Sequence, residues 1–389
     1  MVAPPFDCAR LDALMEAADI EWLLATSRAN VRYLLGGYEY LFQVGFDEIG
    51  ISRYLPVVAY RRGQIEDAYY VAAPHELTQL ELTPIWIAQR VRAESSVEAA
   101  IEAAAAPIAG TSGRVGVELD FLPASAWLGL AEGLPDAELV DAAVILEQLR
   151  AVKSPCELDR IRAASVGIVD AMLATIGAAE EGMSKASMAA IFEDEVRRRG
   201  LRFDYVWIAA GANLVRTPIG GHWRVGEPLS LDSGGRLDGY IGDLCRMATI
   251  GPPTPDLEGR LQEVTRVQET VRQAVMPGVP GRAVVDAALA ALSTCSHRRF
   301  MRTLVHGLGL VSHEAPRLMK SGIPYLPTHA DDLLEAGMVL SAETEIADPN
   351  VGLVKLEDTI IVTPHGCEVV ADYGRGWNQA GTQSTKTTP

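Results

Sequence analysis

Two pairs of acidic residues constrain this chain more than any other feature, because each pair lies symmetrically about its own turn. Asp232 and Asp243 are equally far from the middle of the segment 236–239. Glu343 and Glu357 flank a loop that contains Pro and Gly in the same way. If each segment folds as an antiparallel hairpin, the two members of a pair become direct cross-strand partners. Like charges placed opposite each other repel, so these hairpins require a cation between the carboxylates, and the sequence predicts a metal site.

The bulk properties limit the classes of protein to which the chain can belong. Its 389 residues suffice for two domains, and the formal net charge of −17 argues against nucleic acid or an anionic membrane as the main partner. No apolar run approaches the roughly 18–20 residues of a membrane span, and the N-terminal residues lack a secretory pattern. We therefore expect a cytoplasmic protein. The five cysteines are widely spaced and form no CxxC motif, which favours isolated thiols over disulfides or a zinc ribbon.

The order of predicted elements indicates an α/β domain over residues 1–150 and a second domain over 151–380. In the first, we predict helices at 8–16 and 124–131 and strands at 22–25, 56–60 and 115–119. In the second, we predict helices at 157–178, 187–199, 257–275 and 283–292, between β-rich stretches that contain the acidic pairs. The polar tail, 381–389, is predicted to be disordered.

Two histidines lie close together before the second acidic pair. His306 precedes a Gly-Leu-Gly segment, which allows close backbone approach, and His313 follows seven residues later. A site for two hard cations needs several carboxylates, and one neutral imidazole commonly completes the shell of one ion. One histidine can then be a ligand while the other acts as an acid or a hydrogen-bond donor.

These motifs resemble those of the creatinase/aminopeptidase P/prolidase group, the M24 metallopeptidases with the pita-bread fold. The resemblance covers nearly the whole chain and is strongest after residue 150. The resemblance implies an α+β protein, in which a pita-bread domain of curved antiparallel sheet with outer helices follows a smaller creatinase-like α/β domain. The segments that resemble the family are 30–37, 150–162, 232–246, 306–314, 343 and 356–363.

The resemblance also implies a metal centre and a mechanism. Two divalent ions would be bound, with Mn²⁺ favoured by the ligand set and Co²⁺, Fe²⁺ or Zn²⁺ as alternatives. Bridging ligands would be Asp243 and Glu357, while Asp232 would bind one ion and His306 with Glu343 the other. A metal-bound water would be the nucleophile, Glu343 would accept its proton, and His313 would hydrogen-bond the substrate carbonyl or the tetrahedral intermediate.

Three departures from the family pattern concern the surroundings of the metal. Val215, beside Arg216, occupies the place of a further active-site histidine, and a shifted loop could deliver His222 instead. Glu343-Thr344-Glu345 replaces the usual Glu-Pro-Gly, and Lys355 replaces an Arg, which changes the donor geometry. The sequence thus predicts an intact metal centre with altered groups around the substrate.

Three functions from different classes fit these observations. The first is a metal-dependent hydrolase of the Xaa-Pro dipeptidase or aminopeptidase type, a homodimer that acts on short peptides. The second keeps the fold but hydrolyses or eliminates a group from a small non-peptide compound, as creatinase-like relatives do. The third is a non-catalytic binding module, which the complete ligand set disfavours.

Overall fold

The computed structural model describes residues 3–41, 54–87, 90–319 and 329–381. The chain divides into two compact units, residues 1–150 and 151–389. The predicted disordered tail lies, apart from Gly381, outside the described residues.

In its described part, the first unit contains a mixed sheet of six strands together with helices. Its strands follow the spatial order β4-β3-β2-β1-β5-β6, in which β1 pairs antiparallel with β2 and parallel with β5. The strands are β1 Ile20–Ala25, β2 Val57–Arg61, β3 Gln64–Ala72, β4 Val91–Ala93, β5 Arg114–Val117 and β6 Glu138–Asp141. The helices are α1 Cys8–Ala17, α2 Arg28–Leu34, α3 Leu77–Leu82, α4 Val97–Ala105, α5 Ala124–Gly133 and α6 Ala143–Ala151.

The buried carboxylate of Glu118 connects the end of β5 to the start of α2. It accepts hydrogen bonds from the backbone N–H groups of Thr26 and Ser27 and from the Asn30 side chain. Ser27 itself caps α2. A buried charge is tolerated here because several donors satisfy it.

Three of the four helices described in the second unit begin directly after a Ser or Thr whose side chain caps them. Ser154 and Glu157 form a reciprocal capping box at the start of α7, and Ser184 caps α8. The bounds are α7 Pro155–Ala178, α8 Lys185–Arg198, α9 Pro255–Ala274 and α10 Gly281–Ser293. All four predicted helices of this unit are confirmed, with ends that differ by no more than about two residues, which is the usual uncertainty of a helix end.

Helix α7 is long and apolar enough to cross a membrane by length and composition, the one such helix among the described residues. It packs closely on the sheet of its own unit. A Cβ added at Gly242 would lie only 2.6 Å from the Ser165 backbone nitrogen, and the hydroxyls of Ser165 and Thr359 are 3.2 Å apart. This close packing is typical of a core helix.

Within the described residues, the sheet of the second unit has nine strands and is mainly antiparallel. Its principal order is β11-β10-β12-β13-β9-β8-β7, while β14 pairs with β13 and β15 runs parallel to β9. The strands are β7 Arg202–Ala210, β8 Pro228–Leu237, β9 Tyr240–Thr249, β10 Met301–Leu308, β11 Ser312–Glu314, β12 Val339–Asp348, β13 Gly352–Thr363, β14 Gly366–Val370 and β15 Asn378–Gln379.

Successive side chains along these strands point to opposite faces, so the sheet has two chemically different faces. Leu340 and Ala342 of β12 join Val271 of α9 and Val284 of α10 in an apolar cluster. Ser341 and Glu343, which alternate with these apolar residues along β12, therefore point to the opposite face. Apolar packing against the helices fixes the sheet, and the opposite face is left for the polar side chains of the candidate site.

Candidate metal centre

Five adjacent strands place a row of side chains directly beside one another on the polar face of the sheet. Glu343 of β12 pairs with Glu357 of β13, which confirms the cross-strand pair predicted from the sequence. Glu357 pairs with Cys245 of β9, and Cys245 pairs with Asp232 of β8. Trp207 of β7 pairs with Asp232 on its other side. Three acidic residues from three separate strands are thereby brought into one line across the sheet.

The predicted pairing of Asp232 with Asp243 is wrong by two residues. Asp243 pairs with Gly234, and Asp232 with Cys245. The hairpin closes through a two-residue turn at Asp238 and Gly239, which both have positive φ, rather than through the four-residue segment assumed from symmetry. A register shift of two residues keeps both aspartates on the same face of the sheet, so that Asp243 still lies in the polar cluster.

His306 presents an imidazole nitrogen to these carboxylates. Its Nδ1 donates to the carbonyl of Gly307 at 3.0 Å, which leaves a lone pair on Nε2. Nε2 lies 3.9 Å from Oε1 of Glu357 and 4.0 Å from Oε1 of Glu343. Among the described residues this buried Nε2 has no hydrogen-bond partner. A buried acceptor aimed at carboxylates is the arrangement that a metal-ligating histidine requires, since its other nitrogen is fixed by the backbone.

The ligand atoms converge in two overlapping sets of three residues. Asp243, His306 and Glu357 form one set, and His306, His313 and Glu343 form the other, with all ligand atoms of a set within 4.8 Å of one another. Carboxylate oxygens with one or two imidazole nitrogens suit Mn²⁺, Fe²⁺, Co²⁺ or Zn²⁺. The residues at this end of the row therefore fit a divalent metal ion.

Neutral donors surround the carboxylates of this cluster. Ser312 Oγ donates to Asp243 Oδ2 at 2.7 Å, the Tyr205 hydroxyl donates to Asp243 Oδ1, and Ser341 Oγ donates to Glu357 Oε1 at 2.7 Å. Burial and the neighbouring charge of Glu357 nevertheless raise the pKa of Asp243 to about 8. The neutral hydrogen bonds thus leave the negative charge only partly compensated.

His313 lies against His306, with ring centroids 3.7 Å apart and nearly parallel planes. Its backbone φ of 61° is in the left-handed region, which directs the side chain out of the regular course of β11. Burial, and then the proximity of His306, lower the pKa of His313 to about 3. The ring is accordingly neutral near pH 7, when it can donate one hydrogen bond and accept another.

A lysine ammonium lies at the other end of the row. Nζ of Lys355 is 2.6 Å from Asp232 Oδ2, 2.5 Å from Glu343 Oε2 and 2.8 Å from Glu357 Oε2, and the side chain is only 3% exposed. Burial would lower the pKa of Lys355, but the charges of Glu343 and Glu357 outweigh it and raise that pKa. Lys355 is therefore a permanent cation in contact with three of the predicted metal ligands.

Arg216 adds a second cation at the same end. Its guanidinium contacts Asp232 Oδ2, and it lies 3.9 Å from Glu345. The buried Lys185 donates to the carbonyls of Ile208 and Val215, at 3.2 and 2.9 Å, and so fixes the backbone immediately before Arg216. The segment that lacks the expected histidine thus delivers a guanidinium to Asp232.

A cavity of about 630 Å³ opens over the row and is large enough for a short peptide. The residues that line it include Tyr205, Trp207 and the ion pair formed by Arg302 and Glu345. His222 is exposed, forms a bridge to Ser184, and is absent from the residues that line this cavity in the described part of the chain. The structure therefore gathers six of the seven residues nominated from the sequence, and it leaves His222 at the surface.

Comparison with known proteins finds matches for both units of the chain. The model of metallopeptidase family M24 matches residues 159–364, and that of the creatinase/prolidase N-terminal domain matches residues 8–152. The chain belongs to metallopeptidase family M24. Members of this family are metal-dependent, and the two-domain pita-bread fold expected from the sequence is confirmed.

Related proteins support the family assignment over most of the chain. An uncharacterized peptidase of Staphylococcus aureus is 26% identical over 263 residues, which are 66% of this chain and 73% of that protein. The uncharacterized peptidase YqhT of Bacillus subtilis is 27% identical over 261 residues, 65% of this chain and 71% of that protein.

Solved structures extend the similarity to both units. The dipeptidase PepE from Mycobacterium ulcerans has a TM-score of 0.79 and 25% identity, over 96% of both chains. An Xaa-Pro dipeptidase from Bacillus anthracis has a TM-score of 0.78 at 21% identity, over 96% of this chain and 98% of that one, and at this identity it shows the fold alone.

Proposed function

We propose that this protein is a metal-dependent peptidase that hydrolyses the bond before proline in dipeptides or short peptides. The buried, unsatisfied Nε2 of His306, aimed at the carboxylates of Glu343 and Glu357, carries the proposal. Asp243 completes the ligands at this end of the row. A bound ion would lower the pKa of a water molecule and polarise the scissile carbonyl. Mn²⁺ is the proposed ion, on the chemistry of this ligand set.

Two side chains have proposed roles beside the ligands. The carboxylate of Glu343 faces the cavity and is 17% exposed, so it is the group best placed to accept a proton from the attacking water. The neutral ring of His313 lines the same cavity and would donate a hydrogen bond to the oxygen on which negative charge develops. His222 stays a candidate from the sequence alone and is assigned no role in the reaction.

The preference for proline rests on the resemblance of the motifs and is the finer part of the proposal. The similarity to PepE, named as a dipeptidase, supports a short substrate. A homodimer and a cytoplasmic location belong to the same proposal and rest on the resemblance and on the sequence.

The test is hydrolysis of a panel of Xaa-Pro dipeptides and tripeptides by protein that has been stripped with a chelator and reloaded with Mn²⁺, Co²⁺, Fe²⁺ or Zn²⁺. Asp243→Ala is the inactive control. Asp159→Ala, which removes an exposed aspartate from α7, is the matched control and retains activity. Cleavage that requires both metal and Asp243 supports the proposal, and binding of metal without cleavage of any peptide contradicts it.

A small zwitterion is the second candidate substrate, favoured by the charges on the cavity wall. Arg216 and Arg302 both lie within 4.0 Å of Glu345, so that groups of both signs face the cavity. Creatine and related compounds belong in the same panel. Turnover of these compounds without turnover of peptides would select this alternative.

A further inference from the structure

The two ends of the row differ in what neutralises their carboxylates. At the Asp232 end, Lys355 and Arg216 supply two cationic side chains. At the His306 end, the partners of Asp243 and Glu357 other than Lys355 are the neutral donors Tyr205, Ser312 and Ser341 within the described residues. Only the second end therefore keeps a strong demand for an added cation.

Glu343 and Glu357 each divide their two oxygens between the two ends. The Oε2 atoms face the ammonium of Lys355, at 2.5 and 2.8 Å. The Oε1 atoms face Nε2 of His306, at 4.0 and 3.9 Å. Two carboxylates thus bridge the ammonium and the space in front of the imidazole, as bridging carboxylates would join two metal ions.

The ammonium of Lys355 is fully used in this position. A protonated lysine has three N–H donors, and Nζ has three carboxylate oxygens within 2.8 Å, from Asp232, Glu343 and Glu357. Pairing in the sheet places it there, because Lys355 lies opposite Glu345 and two residues before Glu357 on the same face. The position follows from the register of β12 and β13 and not from a chance rotamer.

The formal charges match a single divalent ion. Four carboxylates form the predicted centre, and Lys355 and Arg216 contribute two positive charges, which leaves a formal charge of −2. One divalent ion neutralises that charge, whereas a second would leave an excess of positive charge in a buried site. Asp232 also belongs to neither of the two sets of converging ligand atoms among the described residues.

We propose that this protein binds one divalent ion per chain, between Asp243, His306, Glu343 and Glu357, and that Lys355 with Arg216 takes the place of a second ion beside Asp232. The proposal rests on the metal-dependent function proposed above. It replaces the two-ion centre expected from the sequence and makes Lys355 a fixed cation that positions Glu343 and Glu357.

Metal stoichiometry is the direct test. Stripped protein is reloaded with excess Mn²⁺ and desalted, bound manganese is measured by mass spectrometry, and the electron paramagnetic resonance spectrum is recorded. One ion per chain with the spectrum of an isolated Mn²⁺ supports the proposal. Two ions per chain with the spectrum of a coupled pair overturn it, even if peptides are cleaved. Failure to bind any ion would overturn the proposed function as well.

Variants separate the two ends of the row. If the proposal is correct, Asp232→Asn still binds a single ion. If the centre holds two ions, the same variant loses one of them. The double variant Lys355→Met/Arg216→Met gains a second equivalent of Mn²⁺, whereas Lys355→Arg, which keeps the charge, does not. If the double variant is folded, as judged by circular dichroism, and still binds a single ion, the role given to the two cations is wrong. Arg302→Ala, which removes a mostly exposed cavity cation, is the control and leaves the stoichiometry unchanged.

Discussion

The His306 end and the Asp232 end of one row of side chains use similar acidic ligands and reach electrical balance by different means. At the His306 end, a fixed imidazole and hydroxyl donors leave the charge of the carboxylates largely in place. At the Asp232 end, two cationic side chains neutralise it. The comparison teaches that a complete set of ligand residues does not by itself determine how many ions are bound, because the neighbouring cations compete for the same oxygens.

Loss of the imidazole should have the largest effect. His306→Ala removes the nitrogen ligand whose lone pair faces Glu343 and Glu357. We expect Mn²⁺ affinity to fall by more than about 100-fold, beyond the roughly 10–100-fold typical of losing an outer hydrogen-bond partner, and peptidase activity to fall with it. Isothermal titration with Mn²⁺ measures the affinity. If His306→Ala and Asp232→Asn lowered the Mn²⁺ affinity equally, the proposed difference between the two ends would be wrong.

Removal of the buried ammonium should chiefly destabilise the metal-free protein. Lys355→Met leaves Asp232, Glu343 and Glu357 without their shared cation, and breaking a buried ion pair costs about 3–5 kcal/mol. Urea unfolding of the stripped protein gives the change in the free energy of unfolding. Lys355→Arg should recover most of this loss, and a Met variant as stable as the wild type would show that Lys355 does not neutralise the cluster.

A smaller effect is expected from the hydroxyl that fixes Asp243. Ser312→Ala removes the 2.7 Å hydrogen bond to Oδ2 and should weaken Mn²⁺ binding by about 10-fold, within the range for partners of metal ligands. Ser293→Ala, at the exposed end of α10, is the matched control. Unchanged affinity in Ser312→Ala would mean that Tyr205 alone is enough to orient the carboxylate.

The smallest effect, on the free energy of unfolding, is expected from removing Arg302. Glu345 of β12 has Arg302 of β10 as its neighbour on one side and Lys355 of β13 on the other. Unlike the buried Lys355, the Arg302 side chain is 78% exposed. An exposed ion pair contributes less than about 1 kcal/mol, so Arg302→Ala should barely change the free energy of unfolding. A loss as large as that of Lys355→Met would show that exposure does not separate the two cations.

The cross-strand pairing predicted from the sequence is correct for one hairpin of the centre and wrong for the other, and the difference lies in the turns. The loop between Glu343 and Glu357 is closed symmetrically, so counting residues gives the true pairing. The other hairpin closes at Asp238 and Gly239, where an Asp-Gly pair supports a two-residue turn, and symmetry about a longer segment gave a register shifted by two.

The neighbours of the ligands were less accessible from the sequence. The place of Lys355 could have been derived, because the predicted pairing of Glu343 with Glu357 also puts Lys355 opposite Glu345. Tyr205 and Ser312 are 38 and 69 residues away from Asp243, and Arg216 lies on the connection before Asp232. No periodicity indicates that these side chains meet the two aspartates. Long-range packing determines those contacts.

Anomalous diffraction from a crystal of the wild-type protein soaked in Mn²⁺ tests the central claim most directly. We predict one manganese peak, within coordination distance of His306 Nε2, Asp243 and Glu357, with the ammonium of Lys355 still in contact with Asp232. Two manganese peaks, with the Lys355 side chain displaced from Glu357 and a metal bound to Asp232, would contradict the account.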